Sequence, residues 1–319
     1  MLHRILTTLG LLAALASACQ AQTFPSKPVR VIVPAPQAAF PTSSRAVAER
    51  LAALWGHPVI IENKPGDGGG IGADLASKAD PDGYTLMSAA SSFVLTTLLT
   101  DKPAYDPIRD FTPIAGLAVI NPALVVHPSV PVKTISDFIA YAKTKSGGMN
   151  YGTFGVGSPP HLSMALLQSM AGIKLTAVHY RGGNLALNDI IGGHIDAVFI
   201  SVAQLKQPAE AGKLRPIAVG TKQRLAEFPN LPTIDESGLK GFEAITWFGM
   251  VGPAKMPPAL VAKINVDLQK IVSDKSFQQK FFGPNLFHPL LGSPADFADV
   301  IKSDVMKWSK IIKEEGITQ

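Results

Sequence analysis

An α/β fold in two lobes, built on mainly parallel strands, is what this sequence predicts, and three observations carry it. Short β-branched runs alternate with helical patterns along the whole chain. No low-complexity segment or short repeat interrupts the alternation. The 319 residues, 46% hydrophobic and 17% charged, suffice for a large core and exceed one small domain.

The chain opens with "MLHRILTTLGLLAALASACQAQ": Arg4, an apolar run from Ile5 to Ala16, then small residues, the layout of a secretory signal peptide spanning 1–21. No later stretch holds about 18 uninterrupted apolar residues, so a soluble exported protein is expected. Cys19, the only cysteine, lies inside this segment. Cleavage after Ala21 leaves no thiol, which suits an oxidising compartment and excludes disulfides and cysteine chemistry. The alternative is cleavage before Cys19 and lipid anchoring; "LASAC" lacks the leucine that usually stands three residues before a lipidated cysteine. The formal charge of +5 drops by one without Arg4, and the other Lys and Arg residues are scattered. That pattern fits anionic small molecules and not nucleic acid.

Strands are expected at "VRVIVP" (Val29), "VIIEN" (Val59), "YTLMS" (Tyr84), "ALVVH" (Ala123), "MNYGT" (Met149), "LTAVHY" (Leu175), "DAVFIS" (Asp196), "RPIAVG" (Arg215) and "ITWFGMVG" (Ile245). Helical spacing falls at Ser43 to Trp55, Ile71 to Ala79, Ser136 to Lys145, Leu162 to Ala171, Leu185 to Ile191 and Pro258 to Ser273, with two more helices in the tail. "TISD" at Thr134 is a capping pattern, and "SPPH" at Ser158 and "SPAD" at Ser293 place Ser at the cap and Pro at the first helical position. Because the same cap recurs at Ser293 with no chemistry nearby, Ser158 reads as a helix cap rather than a nucleophile.

Catalytic and metal motifs are missing: no G-x-S-x-G, H-E-x-x-H, G-x-x-x-x-G-K-[ST] or paired cysteines. His57, His127, His161, His179, His194 and His288 show no ligand spacing, so no metal and no cofactor are expected. Gly68, Gly70 and Ala73 do satisfy a dinucleotide-type G-x-G-x-x-A. Lys64 to Asp67 separate that turn from its strand, however, and "YTLMS" ends in "SAASSF" with no carboxylate for a ribose. The glycines then serve tight backbone geometry at a helix entry, with docking of a membrane partner as the lesser alternative.

Nine ordered blocks carry a resemblance, among them "GHPVIIENKPGDGGGIGADLASKADPDGYTL" at Gly56, "YDPIRDFTPIAGLA" at Tyr105, "MNYGTFGVGSPPHL" at Met149, "VHYRGG" at Val178 and "IIGGHIDAVF" at Ile190. Over essentially the whole mature chain the sequence resembles the tripartite tricarboxylate transporter substrate-binding proteins, the Bug family of periplasmic receptors. The resemblance implies a two-lobe type II periplasmic-binding fold, each lobe a mainly parallel sheet flanked by helices and joined by two crossover strands. Lobe one would comprise 22–123 and 247–319, and lobe two 124–246, with crossings near Asn121 to Val126 and Ala244 to Val251. Strand order 2-1-3 would put the "PGDGGG" loop after an edge strand, away from the switch point where ligands collect.

It also implies a small carboxylate held largely by backbone N–H groups and hydroxyls in the interlobe cleft. Carried over residue by residue, the site is Gln37, Ala38, Phe40, Thr42 and Ser43 after strand one, Ser91 and Ser92 after strand three, and Phe154, Ser158, Tyr180, Arg181, Gly182, Phe199 and Ser201 from lobe two. Arg181 is the one cation placed to meet an anion, with a surface salt bridge as its ordinary alternative. The loop "APQAAFPTSS" departs from the family's aromatic, glycines and Thr-Asp: Pro41 stands where the acid would be, and Ala38 and Ala39 among the glycines. Phe154 and Val156 replace common Ser and Asn, and Ile200 stands where Asp often follows the aromatic. These replacements point to a drier, more aromatic cleft, or to drift in a paralogue.

The expected function is therefore an extracytoplasmic receptor, expected as a monomer, that closes two lobes on an organic acid with an apolar or aromatic body and delivers it to integral-membrane transporter subunits. A periplasmic sensor docking on a signalling protein and an exported hydrolase are the competing functions. The effector domain of a transcription regulator is disfavoured by the export segment and by the lack of a preceding DNA-binding module.

Overall fold

The computed structural model describes residues 24–35 and 42–318, so the export segment and the loop at 36–41 lie outside the described residues. Two sheets organise the rest, and the expected α/β class is what they form. Sheet one has the order β11-β4-β10-β3-β1-β2 and sheet two the order β7-β6-β8-β5-β9.

In sheet one, β1 (Val29–Val33) runs parallel to β2 (Val59–Asn63) and to β3 (Thr85–Ala90). Helices α1 (Thr42–Trp55) and α2 (Gly70–Ser77) make the crossovers, and β2 sits at the edge. Alternation along β1 splits its side chains between two cores: Val29 and Val31 pack under α1 with Ala46, Val47 and Leu51, while Ile32 packs under α2 with Ala73 and Ala76. The glycine turn is a short 3-10 turn at Asp67–Gly69 running into α2. A Cβ on Gly72 would lie 2.8 Å from the Lys64 carbonyl and 2.9 Å from Pro34 Cβ, so this glycine permits close helix-to-strand approach, as a scaffold role requires.

After α3 (Ser92–Leu98) the chain forms β4 (Phe111–Ile120), a ten-residue strand that the sequence patterns miss. Pro113 and Gly116 argue against a central strand there. The sheet accommodates them with two register shifts against β10 (Thr246–Pro253), which lie between Phe248 and Gly249 and between Met250 and Val251. One residue, Asn121, then separates β4 from β5 (Pro122–Val126), which belongs to sheet two.

Sheet two adds α4 (Ile135–Thr144), β6 (Asn150–Thr153), α5 (Pro159–Ala171), β7 (Thr176–His179), α6 (Gly183–Ile191), β8 (Ala197–Ser201), α7 (Val202–Glu210) and β9 (Arg215–Val219). β6 is parallel to β7 and β8, but β5 is antiparallel to β8 and β9, as β10 is to β3 and β4. Four strands of each sheet thus run in one direction, β1, β2, β3 and β4 in sheet one and β6, β7, β8 and β9 in sheet two, as the expected mainly parallel character requires, and the crossover strands β10 and β5 are the ones inserted against them. Strands that enter from the other sheet need no helical crossover, so nothing constrains them to run parallel. Thr134 with Asp137, and Ser293 with Asp296, form the capping boxes their patterns suggest.

The tail carries α8 (Pro258–Ser273), irregular helical turns over 275–285, the two-residue β11 (His288–Pro289) and α9 (Pro294–Glu315). At 22 residues α9 is about 33 Å long and reaches both sheets. Its Phe297 and Ile301 pack with Phe93 and Trp247 beside sheet one, and its Trp308, Ile311 and Ile312 join Tyr151, Leu162 and Leu166 beside sheet two. No helix among the described residues is long and apolar enough to cross a membrane.

Candidate functional site

Between the sheets lies a cavity of about 570 Å³. The crossover segments contribute Ile120, Pro122 and Thr246; sheet two contributes Phe154, the start of α5 and the β8-α7 junction; the tail contributes Pro284, Asn285 and Phe287. None of these described lining residues is charged. Contacts on either side join the lobes. Leu99 packs against Gly157, His288 Nε2 lies 3.1 Å from Glu227 Oε1, and Leu286 rests on the core of sheet two.

Of the residues singled out in the sequence, Phe154, Phe199 and Ser201 border this cavity. Phe154 is half-buried and its ring rests 3.1 Å from where a Cβ on Gly183 would stand. Phe199 offers less than the sequence suggests. Its ring is buried and stacked on Phe242 at 6.2 Å, so it backs the wall rather than presenting a face, because its strand position points into the core under α5. Ser201 caps α7 through a box with Gln204, which also lines the cavity.

Elsewhere the side chains have structural work. Ser91 is buried; its Oγ accepts from the Trp247 amide at 3.0 Å and its own amide donates to the Trp247 carbonyl at 3.1 Å. Ser92 opens α3 and lines a separate pocket of about 30 Å³ with Pro34, Gly68 and Tyr105. The neighbouring Ser88 hydroxyl is buried with no hydrogen-bond partner among the described residues. Tyr180 donates to Asp189 Oδ2 at 2.6 Å, and burial first, then Asp189, pushes its phenol up to about 12. Arg181 is exposed and makes no ion pair among the described residues, so the salt-bridge alternative is not what the structure shows. Gly182 caps α6 at a φ of 123°, a left-handed value that favours glycine. Thr42 and Ser43 are the first two residues of α1, and Gln37, Ala38 and Phe40 lie outside the described residues.

The start of α5 differs most from expectation. A run of amides after Ser158 suits a carboxylate, but Pro159 and Pro160 carry no N–H at the first two helical positions. The Ser158 hydroxyl makes no cap bond and turns into its own loop: it donates to the Gly155 carbonyl at 2.7 Å and accepts from the Phe154 amide at 3.2 Å. The Gly155 amide goes to Thr153 Oγ1 and the Gly157 amide to His161 Nδ1 at 3.0 Å. His161 is buried and in edge contact with His179 at 5.0 Å; burial, then His179, lowers its imidazole to about 4, so it stays neutral and keeps Nδ1 as an acceptor. This loop is braced internally, and among the described residues the Ser158 hydroxyl bonds only to Phe154 and Gly155. At α6 the first amides lack intrahelical partners by geometry, and Gly182, Gly183 and Arg181 stand together there.

Sequence reasoning missed Ile120, Pro122 and Thr246, although the inferred crossovers pass through them. It also missed Asn285 and Phe287, for which no local pattern exists.

Comparison with known proteins gives a consistent result. The family described as "Tripartite tricarboxylate transporter family receptor" matches residues 43–317. A protein of Agrobacterium vitis from the ttuE-ttuC' intergenic region is 33% identical over 302 residues, covering 93% of this chain and 87% of its own. The solved structure of Rpa4515 from R. palustris with adipate is 31% identical, covers 92% of this chain and 99% of its own, and superposes with a TM-score of 0.76. MatC from Rhodopseudomonas palustris with bound malate is 27% identical over 91% of this chain and 100% of its own, with a TM-score of 0.72.

Proposed function

The chain belongs to the tripartite tricarboxylate transporter receptor family, a family of periplasmic solute-binding receptors, and from that premise we propose that it traps a small carboxylate with an apolar or aromatic body between two lobes and hands it to a membrane transporter of that type. The single observation that carries the ligand class is the interlobe cavity of about 570 Å³ with apolar walls and no charged residue among its described lining. Relatives solved with adipate and with malate support a carboxylate, and of those two the longer apolar body of adipate suits these walls better.

In this reading lobe one is 22–123 with 247–319 and lobe two 124–246, and residues 1–21 direct export. The acid end sits at the start of α6, on the amides around Gly182 and Gly183, with the positive helix end and Arg181 beside it. The apolar body lies against Phe154, Ile120 and Phe287. Binding without turnover is favoured over an exported hydrolase, because Ser158 is held by its own loop and His161 Nδ1 by Gly157.

A thermal-shift screen of the purified mature protein against aliphatic and aromatic acids, sugars and bases tests the proposal. Acids should raise the melting temperature by mass action. Large shifts with sugars or bases and none with acids would overturn it.

A further inference from the structure

We propose that the tail segment Pro284–Phe287 is the specificity wall of the cavity: Asn285 and Phe287 select an acid whose remaining part is uncharged, ending in a neutral hydrogen-bonding group. This rests on the cavity being the ligand site, as argued above.

The segment is a built wall. It closes the irregular helical turns after α8 and leads into β11 at the far edge of sheet one, yet its Leu286 packs on sheet two. Leu286 adopts a left-handed conformation (φ 48°, ψ 41°), its amide bonded to the Gly283 carbonyl at 3.1 Å, and its side chain rests on the core of sheet two. A positive φ is costly for leucine, and the contacts around it hold it there. The Phe287 amide bonds the Phe282 carbonyl at 3.1 Å, and its ring packs on Phe248 at 5.8 Å. His288 next to it meets Glu227 of the other lobe.

The chemistry of the lining then selects the ligand. Ser163 donates to the Pro159 carbonyl at 2.8 Å, and Ser201 and Gln204 are engaged with each other. Thr246 and Asn285 are the lining side chains that make no hydrogen bond among the described residues. A second carboxylate in such surroundings is desolvated without a counter-charge, whereas a carboxamide satisfies a hydroxyl or carbonyl. Phe287 supplies the apolar contact that favours a chain or ring before that group.

The test is calorimetry on two sets of probes: hexanoate, 6-hydroxyhexanoate and adipate; and 3-phenylpropanoate with its para-hydroxy and para-carboxy analogues. The wild type should bind the hydroxy acid of at least one set at least as tightly as its parent, and the matching dicarboxylate at least about 100-fold more weakly. Asn285→Leu should weaken the hydroxy acid about tenfold and leave the parent acid within about twofold. Asn285→Lys should narrow the gap to the dicarboxylate. Circular dichroism confirms that these surface variants fold. Adipate or the para-carboxy acid binding as tightly as its monoacid, or Asn285→Leu weakening all members equally, overturns the wall while the receptor reading stands. Binding of none of the six overturns both.

Discussion

The indole Nε1 of Trp247 donates to Oδ2 of Asp304 across 2.8 Å, and both residues are buried. Trp247 lies on β10, the strand that returns the chain to sheet one, and Asp304 lies midway along α9, which continues onto sheet two. Ser91 holds the same tryptophan by two backbone-directed bonds. Lys307 meets the other carboxylate oxygen at 3.1 Å and donates to the Glu243 carbonyl at 3.3 Å. Besides the contacts of Leu99, Leu286 and His288, the two sheets are thus joined by the chain at Asn121, by the chain at Ile245, and by α9 tied to β10 by this pair.

Asp304→Ala strips the indole of its acceptor and leaves Lys307 without its nearest anion. A hydrogen bond to a charged group contributes about 1.5–3 kcal/mol, so urea denaturation should show a loss of about 2–3 kcal/mol. Asp304→Asn keeps an acceptor and should cost roughly half as much. A loss below about 0.5 kcal/mol for the alanine variant would mean that the pair does not stabilise the junction.

Gly157 is the lobe-two side of the Leu99 contact. A Cβ there would stand 2.0 Å from Leu99 Cδ1, on a residue whose φ is +67°. Gly157→Ala should destabilise by about 2–3 kcal/mol, the sum of a left-handed alanine and the clash. Combined with Leu99→Ala, the clash disappears and only the backbone cost of about 1–2 kcal/mol remains. The double-mutant cycle should thus give a favourable coupling of about 1 kcal/mol or more; strict additivity would rule out the contact.

His161 makes stability depend on pH. Its folded-state value, lowered to about 4, lies below the ordinary imidazole value of about 6.5, so the unfolded chain binds the extra proton between those limits. The neutral ring's contribution is fully present above about pH 6.5 and is lost as pH falls toward 4, on the order of 3 kcal/mol in all. His161→Asn keeps an acceptor for the Gly157 amide but does not titrate. Denaturation curves at pH 7 and pH 4.5 should show the wild type losing more stability than this variant; equal losses would exclude the histidine as the cause.

Phe154→Ser should weaken an aromatic acid by about 1–2 kcal/mol and leave a short aliphatic acid nearly unchanged, because the ring's contribution is contact with a second ring. Calorimetry on both ligand classes decides it. Equal losses, or a wild-type preference for aspartate or malate, would sink the aromatic-cleft reading.

Much of the architecture was legible in the sequence because its signals are local. Helix α8 occupies the very span that its spacing predicts, and the caps at Thr134 and Ser293 close as written. Ser158 has the same pattern as Ser293 but a different bond, since its hydroxyl is taken by the Phe154 amide and the Gly155 carbonyl of the preceding loop, a contact no local pattern shows. Helices α3 and α7 were not legible: "SFVLTTL" is rich in β-branched residues, and "VAQLKQPAE" follows β8 with no gap and contains Pro208. Of the singled-out residues, those bordering the cavity lie at the C-terminal ends of β6 and β8, where the fold class places ligands.

By itself the sequence determined the alternation of strands and helices and the helix caps, since each is written in periodicity and turn chemistry within a few residues, and its nine ordered blocks carried the resemblance to the family. Tertiary structure alone decided which way the crossover strands run, that α9 packs on both sheets, and that Asn285 and Phe287 border the same cavity as Phe154. The cavity draws on segments near 120, 154, 200, 246 and 285. Such contacts are set by burial and hydrogen bonding between elements more than a hundred residues apart, and a chain's local pattern holds no record of which distant surface will cover it.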